Sequence, residues 1–189
     1  YKRQIMSTHS SRVVGAEALL RWDHPARGTL HPDEFLHLAE ASGAIVPIGD
    51  WVVRQSCSDT RQWIDSGIVD RSFSVHVNIS SRQLVETTFV ERVLATVRQT
   101  ELSPQQLTLD FDESTLNDRH PGITRSLQAL RRFGVRLALD GFGTGVSSLN
   151  ALRTCEADVL KLDGGEARRL GISGDDLHVE CVRELHDGP

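Results

Sequence analysis

Five short apolar runs in this chain repeat one pattern, and that pattern limits the fold more than any other feature. Alternate side chains of a strand point to opposite faces. In run 16–22, Glu17, Leu19 and Arg21 share a face. In run 75–79, His76 and Asn78 lie opposite Val75, Val77 and Ile79. Asp110 opposes Leu107, Leu109 and Phe111; Asp140 opposes Leu137 and Leu139; Lys161 and Asp163 oppose Leu160 and Leu162. Each run thus carries a polar or charged group near its C-terminal end, over an otherwise apolar face. One explanation is a solvent-exposed sheet face, as antiparallel sheets allow. Parallel sheets are normally covered on both sides, and a barrel of parallel strands gathers its functional groups at the strand C-termini.

Helical patterns fall between these runs. Strands are expected over 13–22, 73–79, 107–111, 135–140 and 159–163. Helices are expected over 32–41, opened by Pro32 and ended at Gly43, over 45–64, over 87–98 and over 123–133, closed by Gly134. A short helix over 147–153 and a last helix over 175–186 complete the reading. Strands alternating with helices imply a largely parallel sheet with helices outside. With 189 residues, the chain is read as a single domain spanning 1–189: a motif-bearing part, 1–163, and a terminal helical segment, 164–189.

Charge and composition narrow the function classes. A net charge of −5 argues against a partner that is a nucleic-acid polymer, which usually meets a basic face. It leaves room for a small anion held by a few local cations or metal ions. Cys57, Cys155 and Cys181 are odd in number and widely spaced, which suits a reducing compartment without disulfides. No apolar run approaches 18 residues and no signal-peptide pattern occurs, so a cytoplasmic, non-spanning chain is expected. Opening on Tyr1 suggests a piece of something longer.

The segment Glu17-Ala18-Leu19-Leu20-Arg21-Trp22, followed by His24-Pro25, Gly28, Pro32, Phe35, Ala39-Glu40 and Gly43, resembles the opening signature of the EAL family. The resemblance continues through Val77-Asn78-Ile79-Ser80, Asp110-Phe111-Asp112-Glu113-Ser114, Asp140-Gly141-Phe142-Gly143-Thr144-Gly145 and Leu160-Lys161-Leu162-Asp163. It implies a TIM-barrel-like (β/α) fold with one strand running against the others, and Mg²⁺- or Mn²⁺-dependent hydrolysis of cyclic di-GMP to linear pGpG in bacterial signalling. Position by position, it implies metal ligands at Glu17, Asn78, Asp110 and Asp140, a phosphate contact at Arg21 and a guanine neighbour at Leu19. Lys161 would orient or activate the attacking water, making it catalytic together with Glu17. Glu113 would hold the loop after Asp140, a loop tied to dimerisation in the family. These residue types suit the chemistry. Paired hard cations about 3.5–4 Å apart neutralise a phosphodiester and generate hydroxide. Carboxylates and amides supply the oxygens such ions want, and a guanidinium forks onto phosphate.

Three departures point to a degenerate member. Where the family has two aspartates, this chain has Asp140 followed by Gly141. Where it has a glutamate, this chain has Asp110, shorter by about 1.5 Å of reach, against a metal–ligand tolerance of roughly ±0.2 Å. The late Glu-Gly-Val-Glu and Gln-Gly segments are absent, so an incomplete barrel lacking its last two strands is expected. A weakened metal site and little or no hydrolysis follow. The expected function is binding of cyclic di-GMP or of a partner, whether a second copy or another protein. The alternatives are a residual phosphodiesterase and a protein-interaction module without nucleotide binding. Blander roles stay open for single residues: a Glu17–Arg21 ion pair, a hydrogen-bonded Asn78, a Lys161 reaching out from a strand end, and capping by Asp110 and Asp112. The Gly143-Thr144-Gly145 turn reads as a flexible loop, and Cys155 lacks any neighbouring base. Of the eight histidines, only His76 shares a face with the candidate site.

Overall fold

A computed structural model of the chain describes residues 2–7, 10–117, 120–141, 157–162 and 181–183. Nine strands fall within these residues: β1 (Lys2–Met6), β2 (Val13–Ala18), β3 (Trp22–His24), β4 (Gly28–Leu30), β5 (Ser74–Asn78), β6 (Leu107–Asp112), β7 (Arg136–Asp140), β8 (Val159–Leu160) and β9 (Cys181–Arg183). Six helices accompany them: α1 (Pro32–Ser42), α2 (Ile45–Asp65), α3 (Ser81–Leu84), α4 (Phe89–Gln99), α5 (Glu113–Asn117) and α6 (Pro121–Arg132).

Seven strands form one sheet in the order β8-β7-β6-β5-β2-β1-β9. From β2 to β8 the neighbours pair in parallel, with helices in the connections from β2 through β7. β1 runs antiparallel to both β2 and β9, so one strand opposes the rest, as the family resemblance implies. Among the described residues β8 and β9 remain at the sheet edges, in keeping with an incomplete barrel.

The parity read from sequence sets the layering. Val75, Val77, Leu107, Leu109, Phe111, Leu137 and Leu139 are buried on the outer face, against Val53 and Cys57 of α2, Val93 and Val97 of α4, and Ile123, Leu127 and Leu130 of α6. The opposite face turns its polar groups inward, toward the strand C-termini. Helix α1 begins at Pro32, with the Glu34 carboxylate accepting the His31 N–H at 2.8 Å. It ends at Gly43, whose φ of 81° is left-handed and whose N–H donates to the Glu40 carbonyl. The β3–β4 hairpin leans on this helix through Trp22, edge-on to Phe35 at 5.6 Å.

Several elements differ from expectation, among them β8, which ends at Leu160 rather than 163. β2 stops at Ala18 rather than continuing to residue 22, because Trp22–His24 turns away into a separate hairpin. The helix expected over 87–98 starts at Phe89, preceded by α3, whose Ser80 hydroxyl caps the Gln83 N–H. β1 was not anticipated from its polar, non-alternating sequence. Cys181–Arg183 is a strand on β1, not part of a last helix. The 147–153 helix, the Gly143-Thr144-Gly145 turn, Cys155, Asp163 and the rest of 175–186 lie outside the described residues.

Candidate functional site

Strand register brings the inward groups into adjacent rungs. Glu17 pairs with Arg3 on one side and His76 on the other. Asn78 stands beside Asp110, and Asp112 beside Asp140. Lys161 follows β8 directly, its backbone N–H fixed to the Leu139 carbonyl at 2.8 Å.

The side chains meet around the Lys161 ammonium. Its Nζ donates to Asp110 Oδ2 at 2.5 Å and lies 3.5 Å from Glu17 Oε1. Asn78 Nδ2 donates to Glu17 Oε1 at 2.9 Å, and Arg3 Nη1 lies 3.9 Å from Glu17 Oε2. His76 Nδ1 sits 3.0 Å from Asp110 Oδ1. Asp110 and His76 are wholly buried; Glu17 and Lys161 nearly so. Burial alone would push Lys161 toward the neutral amine. Asp110, Glu17 and Asp140 outweigh it, and the lysine is held above its ordinary pKa, protonated.

Above this cluster lies a cleft of ≈ 350 Å³, lined by Leu19, Asn78, Asp110, Asp112 and Asp140, among others. Of the residues singled out in sequence, Glu17, Asn78, Asp110 and Lys161 touch one another, Asp140 acts on the lysine from nearby, and Leu19 lines the cleft. Arg21 does not line it. Arg21 borders an adjoining, more apolar groove with Trp22 and Trp51, and its Nη1 donates to the Leu20 carbonyl at 2.7 Å. Leu20 and Ile48 belong to both depressions. The proposed Glu17–Arg21 ion pair gives way to Glu17–Lys161 and Glu17–Arg3.

The two aspartates of the 110–112 run have opposite roles. Asp112 caps α5: its Oδ1 accepts from the Thr115 N–H and from both the Ser114 and Thr115 hydroxyls. Burial raises its pKa, but these bonds prevail and lower it below the ordinary aspartate value. Asp110 caps nothing and faces Lys161. Glu113, at the start of α5, is buried with neither carboxylate oxygen bonded among the described residues.

Among the described residues no group of three His, Cys, Asp or Glu side chains is placed to hold a metal ion. The oxygens of Glu17 and Asp110 face Lys161, Arg3, Asn78 and His76, Asp140 Oδ1 accepts the Gly141 N–H, and Gly141 offers no side-chain donor. The described donor set does not fit a divalent pair. Sequence reasoning missed Arg3 and the His76–Asp110 contact. The cross-strand position of Arg3 was invisible without β1, whereas the parity of His76 with Asn78 was a usable signal.

A family profile described as "EAL domain" matches residues 3–186. The chain is similar to the bifunctional diguanylate cyclase/cyclic di-GMP phosphodiesterase MucR of Pseudomonas aeruginosa, 38% identical over 167 residues, which is 88% of this chain and 24% of that protein. The chain therefore spans about a quarter of that relative's length. Among solved structures, the PaMucR phosphodiesterase in complex with c-di-GMP superposes with a TM-score of 0.80 at 36% identity, covering 93% of this chain and 70% of that one. The EAL enzyme Bd1971 in its cAMP- and cyclic-di-GMP-bound form gives a TM-score of 0.80 at 27% identity, over 93% of this chain and 48% of that one.

Proposed function

The chain belongs to the EAL domain family, and from that premise we propose that it binds cyclic di-GMP in the cleft at the strand C-termini with little or no hydrolysis. The observation that carries this reading is the cleft at the strand C-termini, lined by Leu19, Asn78, Asp110 and Asp140, with Gly141 where a second carboxylate is expected. The family is metal-dependent. Here one carboxylate of the expected pair is Gly141, and the described oxygens fit no metal, so no catalytic step is routed through one.

The chain's own residues have roles in binding. Leu19 lines the cleft wall and is the proposed neighbour of a guanine. Arg21, in the adjoining groove, is the proposed phosphate contact, since its guanidinium is permanently charged and forked. Lys161 supplies buried positive charge beneath the cleft floor. Of the metal set inferred from sequence, Glu17 and Asp110 orient Lys161, Asn78 steadies Glu17, and Asp140 forms part of the cleft wall. Glu113 is proposed to hold the segment after Asp140; its two buried carboxylate oxygens without described partners support that role. No described helix is long and apolar enough to cross a membrane.

Calorimetry with cyclic di-GMP, paired with chromatography of the reaction mixture, tests the proposal. Saturable binding without pGpG is the expected result. Clear pGpG production with Mn²⁺, abolished by Glu17→Ala, would instead make the chain a working phosphodiesterase. A folded protein that binds no cyclic di-GMP would leave a protein-interaction module.

A further inference from the structure

His76 and Asp110 face inward from neighbouring strands at different heights. The register of β5 and β6 sets Asn78 beside Asp110 and His76 beside Thr108, so the imidazole starts one inward rung below the carboxylate. His76, Thr108 and Asp110 are all wholly buried. The ring reaches up to Asp110, its Nδ1 3.0 Å from Oδ1. The other oxygen, Oδ2, takes the Lys161 ammonium at 2.5 Å. A carboxyl group turns readily about its last bond, and a contact on one oxygen leaves that turning open. Contacts on both oxygens fix its plane. A carboxylate can only accept, so this geometry requires Nδ1 to carry the hydrogen. The shortness of Asp110 belongs to the arrangement. A glutamate there would carry its carboxyl about 1.5 Å further from the strand, stretching the 3.0 Å contact past hydrogen-bonding length. With both groups buried, losing the imidazole strands a carboxylate oxygen.

We propose that His76 is a positioning residue of this site: its Nδ1–H holds Asp110 so that Oδ2 meets Lys161, and thereby sets where the lysine's charge lies beneath the cleft. The proposal rests on the binding reading above for its effect on cyclic di-GMP; the orientation of Asp110 is a property of the folded chain itself.

Nitrogen NMR of the wild type, with histidine and lysine side chains labelled, reads the arrangement directly. His76 Nδ1 is expected to carry a hydrogen, as the bond to a carboxylate dictates. His76→Ala, His76→Gln and His76→Asn then separate positioning from space-filling. An asparagine amide places an N–H near the position of Nδ1, whereas the longer glutamine amide places it near that of Nε2. Cyclic di-GMP affinity is expected to fall about tenfold or more in His76→Ala and His76→Gln, as when the hydrogen-bond partner behind a site residue is removed, and to recover to within about threefold of wild type in His76→Asn. The Lys161 ammonium signal is expected to move in the first two variants and to return in the third. A merely structural role follows volume and favours glutamine, the closer match to an imidazole in size. A wild-type ring protonated on Nε2 alone overturns the proposal. So does a glutamine variant that equals or surpasses the asparagine variant in affinity and Lys161 signal, or an alanine variant within about twofold of wild type in affinity. If His76→Ala does not fold, the tautomer and the comparison of asparagine with glutamine decide. A wild type that binds no cyclic di-GMP defeats the function proposed above, while the tautomer and the Lys161 signal still judge His76.

Discussion

Asp110 and Lys161 form a buried ion pair, and a double-mutant cycle measures it. Asp110 is wholly buried and Lys161 is 8% exposed. Their charges are 2.5 Å apart, which at an effective dielectric of about 20 corresponds to roughly 7 kcal/mol of attraction. Desolvating both ions consumes several kcal/mol of this. Asp110→Asn leaves the ammonium with Glu17 and the more distant Asp140; Lys161→Met leaves Asp110 buried with His76 as its described side-chain partner. Each single change is expected to cost about 3–5 kcal/mol, because breaking a buried pair strands one charge, while replacing both ends together costs much less. The coupling energy is therefore expected to be at least about 3 kcal/mol, at the upper end for residues in contact. Urea unfolding followed by circular dichroism, with linear extrapolation, supplies the four free energies. Single-variant costs that sum to the double within about 0.5 kcal/mol, as for independent sites, would refute the account of the pair.

Gly49 of α2 sets a second test. A Cβ there would fall 2.0 Å from the Nε2 of Gln83, which is 1% exposed and whose Oε1 accepts the Ser80 N–H. Alanine would gain about 1 kcal/mol of helix propensity but incur an overpacking cost of about 1–3 kcal/mol. Net destabilisation of about 1 kcal/mol is expected for Gly49→Ala; a variant more stable than wild type would show that Gln83 moves aside freely. The Cys57 thiol is wholly buried in the core, and burial pushes its pKa up to about 12. Iodoacetamide at pH 8 is expected to spare Cys57 in the native protein and modify it in urea, read by peptide mass mapping. Equal labelling in the two states would contradict its placement.

Much of the fold was legible because burial on the outer face forces strict alternation in the central strands. β5, β6 and β7 each stack two aliphatic side chains under a helix, β6 adding Phe111, and that pressure is written into their sequences. The same alternation pointed to His76, Asn78, Asp110 and Asp140. Legibility failed where no such pressure acts. β1 carries Lys2, Arg3 and Gln4 in succession, so neither it nor the part played by Arg3 could be read. At Leu19 and Leu20 an apolar pair extends the pattern past the true end of β2, since those residues line the cleft rather than continue the ladder. Asp112 was correctly open to a capping role, because Ser114 and Thr115 follow at the spacing that a capping carboxylate uses. Cys181–Arg183 misled because helical spacing says nothing about a free strand edge waiting on β1.

The parallel order of β2, β5, β6, β7 and β8 has a kinetic consequence. Lys161 reaches Asp110 across 51 residues, and Asn78 reaches Glu17 across 61. No local segment can hold this cluster in advance. Its members come from different turns of the chain, whose loop-closure entropy must be met before any of them touch, and such non-local topologies fold slowly. The side-chain cluster would then assemble only at the end of folding, making it a sensitive gauge of whether every strand has found its neighbour.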